Sequence, residues 1–273
     1  MLTLQSIPIL MTFSALDQLN NNVSISFPPK RIVSLVPSLT ELLYSLGLNE
    51  EVVGITKFCI HPYGWYNTKR SIGGTKTVNK KTIIDLQPDL IIANKEENVK
   101  EQIEELKEIA PVWVSDIKTL EDALEMIRAV GSLVNRSEIA NEMAVEILRR
   151  FKGLEPLKQR LKTAYLIWKS PYMAAATDTF INDMMARCGF ENIFLSESRY
   201  PKISIDQLSM IDCQLLLLSS EPYPFKQKHI DELQQQLPKT KILLVDGEMF
   251  SWYGSRLLLV PEYLQRLISQ AWL

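Results

Sequence analysis

RIVSLVPSLTELLYSLG, residues 31–47, is the stretch from which the fold can be read. An apolar run, RIVSLVP, ends at a proline. SLTELLYSLG follows, with Ser38 as N-cap, Glu41 three residues on and Gly47 as the stop. The pair reads as a buried strand feeding a capped helix, and the unit recurs downstream. EVVGI (51–55) is a strand, and TIIDLQPDLIIA (82–93) is a short helix, a proline break and a buried strand. ENVKEQIEELKEI (97–109) is a helix, PVWV (111–114) a strand, and TLEDALEMIRAVG (119–131) a helix from a Thr cap to a Gly stop. Strands alternating with helices in short units predict a parallel sheet covered on both faces.

The alternation then pauses. Ile139, Met143, Ala144, Ile147, Leu148, Phe151 and Leu154 recur at helical steps, predicting one long helix from Ser137. Beyond it TAYLIW (163–168), QLLLLS (214–219) and KILLVD (241–246) read as strands. DTFINDMMARCG (178–189), SIDQLSMI (204–211) and LLLVPEYLQRLISQAW (257–272) read as helices. The expected organisation is an N-terminal arm or first strand over 1–30, an α/β lobe over 31–133, a linking helix over 134–156 and a second α/β lobe over 157–273. IIDLQPDLIIANKEE (83–97) and SMIDCQLLLLSSEP (209–222) echo one another, each a short helix ending in Ile-Asp before an apolar strand and an acidic loop.

Composition narrows the function. The 273 residues carry a net charge of -2, with 46% apolar and 23% charged residues. Such a balance suits a globular chain and offers no basic face for nucleic acid. Cys59, Cys188 and Cys213 share no metal-ligand spacing, and their odd number argues against a disulfide scaffold. The N-terminal stretch MLTLQSIPILMTFSALDQLNNN has no basic start and no clean cleavage site, so the chain as encoded is expected in the cytoplasm, and in the periplasm if translation starts further upstream.

Ligands of open parallel sheets bind beyond the carboxyl ends of the strands. That rule selects Pro37-Ser38, the segment TKFCIHPYGWY (56–66) and Asn94–Asn98 in the first lobe. In the second it selects Lys169–Thr177, Ser219–Phe225 and Gly247–Gly254. These loops are rich in rings, among them Phe58, Trp65, Trp168, Tyr172, Trp252 and Tyr253. A cleft between lobes, lined by rings with scattered polar groups, suits a small molecule with a broad flat face.

RIVSLVPSLTELLYSLG, EVVGITKFCIHP (51–62), IGGTKTVNKKTIIDLQPDLIIA (72–93) and the linking helix together resemble the periplasmic binding proteins with a helical backbone. Those are the substrate receptors of ABC importers for cobalamin, haem and ferric siderophores, and the cobalamin-binding branch is the most similar. The resemblance spans about residues 30 to 272. It implies two Rossmann-like lobes joined by a stiff helix, a ligand between them, no catalytic residue and a monomer. No intrinsic cofactor is expected; the ligand would be a corrinoid first, then haem or a ferric siderophore. Phe58 stands at the family's ring position in the lip, whereas Thr75 and Asn94 stand where it has two further rings. Trp168 to Tyr172 and Trp252-Tyr253 fall at its second-lobe cleft positions. The family docks on its permease through one acid per lobe; Asp206 fits, but Lys81 replaces the first-lobe acid and would weaken docking.

Other readings of single residues stay open. Cys59 and His61 alternate onto one face of an extended segment, as a thiol nucleophile and its base would, though no hydrolase signature surrounds them. With only His61 and His229, a bare-metal site lacks ligands. His61 could serve as axial ligand to a chelated metal or close the lip loop by hydrogen bonding, and His229 is expected on a solvated helix face. Glu96 and Glu97 could meet ligand amides, or Glu97 could start the next helix. Arg256 could pair with a ligand anion or within the chain. A cytoplasmic tetrapyrrole carrier of the same fold is the alternative to an importer receptor, with a Cys–His enzyme third.

Overall fold

A computed structural model describes residues 11–272, and its first element is a hairpin. β1 (Met11–Leu16) and β2 (Asn22–Phe27) pair antiparallel from Met11↔Phe27 to Leu16↔Asn22. The Asp17 carboxylate closes the turn, accepting the Leu19 and Asn21 N–H groups at 2.9 and 2.8 Å. The turn falls at the start of the asparagine run, between the two strands. Residues 1–10, where the arm was expected to begin, lie outside the described residues.

The chain forms two lobes. One comprises the chain through Asp116 together with Glu125–Ala144, the other Ile117–Leu124 together with the chain from Val145 onward. In the first follow β3 (Ile32–Ser34), α1 (Pro37–Ser45), β4 (Val52–Ile55), α2 (Tyr63–Thr68), β5 (Arg70–Ser71), α3 (Lys80–Leu86), β6 (Leu90–Asn94), α4 (Lys100–Leu106) and β7 (Val112–Ser115). The five strands run parallel in the order β5-β4-β3-β6-β7. β3, β6 and β7 are buried on both faces, which explains their unbroken apolar runs. The hairpin is tied to β7: Gln18 N–H donates to the Val114 carbonyl at 3.1 Å, and the Trp113 indole donates to the Leu16 carbonyl at 3.1 Å.

Two helix boundaries depart from expectation. α1 begins at Pro37, whose fixed φ and missing N–H suit a first helical position, so Ser38 lies inside the helix and Val36 stands at the cap without a side-chain bond. Gly47, at φ +79°, ends that unit as predicted. α5 (Leu120–Leu133) starts at the expected threonine, Asp122 N–H donating to Thr119 Oγ1 at 3.1 Å, but runs through Gly131. A Cβ at Gly131 would lie 2.2 Å from Ala140 Cβ, so this glycine permits close helix approach rather than stopping the helix. The long apolar stripe is α6 (Ser137–Lys152), within which the chain passes from one lobe to the other.

The second lobe continues with β8 (Leu161–Trp168), β9 (Tyr172–Ala174), α7 (Phe180–Arg187), β10 (Phe190–Asn192), β11 (Lys202–Ile203), α8 (Ile205–Met210), β12 (Leu215–Ser219), α9 (Gln227–Gln236), β13 (Lys241–Val245), α10 (Glu248–Ser251) and α11 (Val260–Trp272). Its sheet runs β11-β9-β8-β12-β13, with β10 also on β8. β9 and β11 are antiparallel, so this sheet is mixed rather than purely parallel. Its core packs Leu166, Leu208, Leu216, Leu218 and Leu233 together.

The internal echo has a structural counterpart. β6 and β12 occupy the same place in their sheet orders. Each follows a short helix whose side chain at the fourth position, Ile83 or Leu208, is fully buried. Each helix is followed by a left-handed residue, Gln87 at φ 46° and Asp212 at φ 59°.

Candidate functional site

β3 and β8 are the strands from which each sheet grows in both directions. β3 pairs with β4 on one side and β6 on the other, and β8 with β9 and β12. The carboxyl end of such a strand is where α/β sheets form ligand sites. Pro37-Ser38 follow β3, and Trp168 to Tyr172 form the turn after β8.

In the first lobe one buried amide organises this end of the sheet. Asn98 Nδ2 donates to the Thr75 carbonyl at 3.0 Å and to the Leu35 carbonyl at 3.5 Å, while its Oδ1 accepts the Asn94 N–H at 2.9 Å. The Asn94–Asn98 loop is thereby tied to the backbone at Leu35, just before α1, and at Thr75. Asn94 is buried as well, its Oδ1 accepting the N–H groups of Glu96 and Glu97 at 2.9 and 3.0 Å. It shapes the loop instead of facing a ligand. Glu97 sits in that turn, and α4 starts later, at Lys100. Lys76 Nζ reaches the Glu96 carbonyl at 2.6 Å. Ser38 is buried, and its hydroxyl makes no hydrogen bond among the described residues.

The aromatic segment divides. Phe58 is 51% exposed and lies against Gly74, where a Cβ would approach its ring to 3.2 Å. Tyr63 and Tyr66 are also exposed. Trp65 is only 4% exposed; its indole donates to Asn49 Oδ1 at 3.0 Å and its ring meets Tyr44 edge-on at 5.3 Å. Trp65 therefore anchors α2 in the core and does not belong to the lip. His61 is half-buried in the loop before α2.

Cys59 is fully buried, its Sγ 3.1 Å from the hydroxyls of both Thr40 and Thr56. Burial pushes its pKa up, against those hydrogen bonds, which disfavours the thiolate a nucleophile needs. Cys188 and Cys213 are buried too. Ellman's reagent should thus read essentially no thiol in the native protein and all three after denaturation. Prompt reaction at Cys59 would restore the Cys–His reading.

In the second lobe Trp168 is 39% exposed and Tyr172 half-buried. Tyr223, from the loop after β12, meets the Trp168 ring edge-on at 5.7 Å. Trp252 and Tyr253 are not ligand-facing rings. Trp252 is buried, donating to Glu221 Oε1 at 3.0 Å, with the Arg256 guanidinium 4.6 Å from its ring; Tyr253 is buried edge-on to Phe180 at 5.7 Å. Arg256 pairs with Glu248 at 2.8 Å, so the intramolecular alternative is the one realised. Glu221, unmarked in the sequence reading, also accepts Ser251 Oγ at 2.8 Å. Burial raises its pKa, as do the carboxylates of Glu248 and Asp246, while the Ser251 and Trp252 hydrogen bonds oppose the shift. The signal for Glu221 was an acid just before proline in a strand-end loop; for Asn98 it was a second asparagine four residues after Asn94.

His229 is not solvated. It is 4% exposed, Nδ1 accepting the Lys226 N–H at 2.8 Å and Nε2 lying 3.4 Å from the Tyr223 hydroxyl.

Lys81 and Asp206 are both exposed and occupy the second position of α3 and of α8. Among the described residues no group of three or more His, Cys, Asp or Glu could hold a metal ion.

Two ring-bearing sheet ends on a two-lobe α/β frame suit binding. The model of the periplasmic binding protein family matches residues 32–242. The chain belongs to that family. Among its relatives, the vitamin B12-binding protein of Vibrio cholerae serotype O1 is 28% identical over 198 residues, 71% of each chain. The solved periplasmic vitamin B12-binding protein of Vibrio cholerae superposes with a TM-score of 0.74 at 22% identity, covering 90% of this chain and 98% of that one. The periplasmic haem-binding protein of Roseiflexus sp. RS-1, in apo form, gives a TM-score of 0.77 at 18% identity, covering 89% and 98%. Periplasmic binding proteins of this type are substrate-binding proteins of ABC importers, and the chain shares their two-lobe fold.

Proposed function

We propose that this periplasmic binding protein captures a corrinoid for an ABC importer, working on the outer side of the cytoplasmic membrane. What carries the reading is the ring set at the carboxyl ends of the two sheets, Phe58 in one lobe and Trp168, Tyr172 and Tyr223 in the other. Similarity to vitamin B12-binding proteins along most of the chain supports it. Flat apolar faces with few fixed charges favour a large planar chelate over a small polar solute. The metal arrives inside the ligand, and His61 is the side chain offered to it as an axial ligand. Haem and ferric siderophores share the flat or ring-bearing chemistry and are the next ligands to test.

On the partner side, a permease meeting the second positions of α3 and α8 would find Lys81 on one lobe and Asp206 on the other. That asymmetry favours a permease with an acid facing Lys81, or a carrier that serves no permease.

Titration with hydroxocobalamin, followed by tryptophan emission and the visible cobalt band, should saturate at micromolar ligand or below. Trp168→Ala should weaken binding by about tenfold, the loss of a stacked ring being worth roughly 1.4 kcal/mol. His61→Ala should abolish any shift of the cobalt band. Absence of saturation would overturn the corrinoid assignment.

A further inference from the structure

The rings of the second lobe stand on two separate loops, and one helix holds both. His229 and Glu232 are three residues apart on α9 and share a face. Glu232 accepts from Lys169 Nζ at 2.5 Å, in the turn between Trp168 and Tyr172. His229 holds the loop after β12. Its Nδ1 accepts the Lys226 N–H, which places the neutral ring's proton on Nε2, facing Tyr223. Its ring lies 5.5 Å from Tyr223 and 5.4 Å from Phe225, both edge-on, and Tyr223 in turn meets Trp168.

We propose that α9 is a clasp, with His229 and Glu232 as positioning residues that set Trp168, Tyr172 and Tyr223 against the ligand, and that protonation of His229 opens it. The ligand half of this inference rests on the corrinoid reading above. Protonation turns Nδ1 from acceptor to donor, facing the Lys226 N–H, so the bond that fixes the loop is lost. Burial disfavours the imidazolium. Lys169 from the β8–β9 turn and Lys228 and Lys226 around the start of α9 disfavour it further, while Glu232 on α9 works the other way. Tyr223, from the loop after β12, is the remaining titratable group facing the ring. The histidine's pKa is thus held below its ordinary 6.5. The sign follows: a lowered pKa in the fold means that the clasp is intact above 6.5 and is lost as pH falls through the lower folded value.

Affinity for cyanocobalamin, whose axial cyanide is retained across the range, is measured from pH 8 to pH 5. The parent should lose affinity toward the acid end as His229 takes up its proton. His229→Gln, whose amide oxygen can still accept from Lys226 but cannot titrate here, should bind with a flat profile. His229→Ala should bind weakly at every pH, and Glu232→Gln should weaken binding without flattening the profile. A parent profile that is flat, or a fall that persists in His229→Gln, would overturn the clasp. Should the parent fail to bind cyanocobalamin at pH 7.5, the corrinoid reading falls and the clasp is judged without ligand. The readout is then the emission of Trp168, taken as the difference between each protein and its Trp168→Phe counterpart. It should titrate below pH 6.5 in the parent and stay constant in His229→Gln. Constancy in the parent would overturn the proposal.

Discussion

Arg256→Ala is expected to lower the unfolding free energy by about 3–5 kcal/mol at neutral pH, the range found when one member of a buried ion pair is removed. Arg256 is 8% exposed, and its guanidinium binds Glu248 at 2.8 Å and lies over the Trp252 ring. Its loss leaves the Glu248 carboxylate near Asp246 and the half-buried Glu221, which already repel one another. Lowering the pH should therefore recover part of the loss, since protonating any of these acids relieves the repulsion. Arg256→Lys should be intermediate, keeping the charge but losing the planar stack. Urea unfolding at pH 7.5 and pH 5.5 measures both effects. An unchanged midpoint with reduced ligand affinity would instead return Arg256 to the ligand.

Trp113→Ala is the second large effect, again about 3–5 kcal/mol, from cavity formation on removing a large core ring. Trp113 is 0% exposed on β7, and its indole N–H holds the Leu16 carbonyl of the hairpin. Trp113→Phe separates the two contributions. It keeps most of the packing and leaves the Leu16 carbonyl unbonded, so about 1 kcal/mol should be lost. The alanine variant should also become cleavable by protease near the 17–21 turn while the rest of the first lobe resists. Equal cleavage of both proteins would show that the hairpin is held by other means.

The alternation from Arg31 onward was legible because buried parallel strands leave unbroken apolar runs, as in Leu90–Asn94 and Leu215–Ser219. Strands as short as Lys202–Ile203 or Tyr172–Ala174 were not, since two or three residues carry no period. Gly131 looked like a helix stop because sequence shows its freedom but not the Ala140 methyl beside it. The rings lie in segments that follow the strands, yet Trp65, Trp252 and Tyr253 turn into the core. A loop position does not specify which way its side chain points. His229 was read as solvated from its charged neighbours, although His229, Leu233 and Leu237 step by four along one buried stripe.

The hairpin's attachment to β7 also bears on how the protein stays dispersed. β7 ends one side of its sheet, and an open, apolar border strand is a template for pairing with another molecule. The turn residue Gln18 caps that border at Val114 and, through its side chain, at the Asp116 N–H. The opposite border is β5, only two residues long and carrying the charge of Arg70, too short to seed such pairing. A chain shortened to begin after Pro28 would keep every strand of the sheet and its ligand loops. It would nonetheless leave β7 bare, and its failure would be seen as aggregation during refolding rather than as lost affinity.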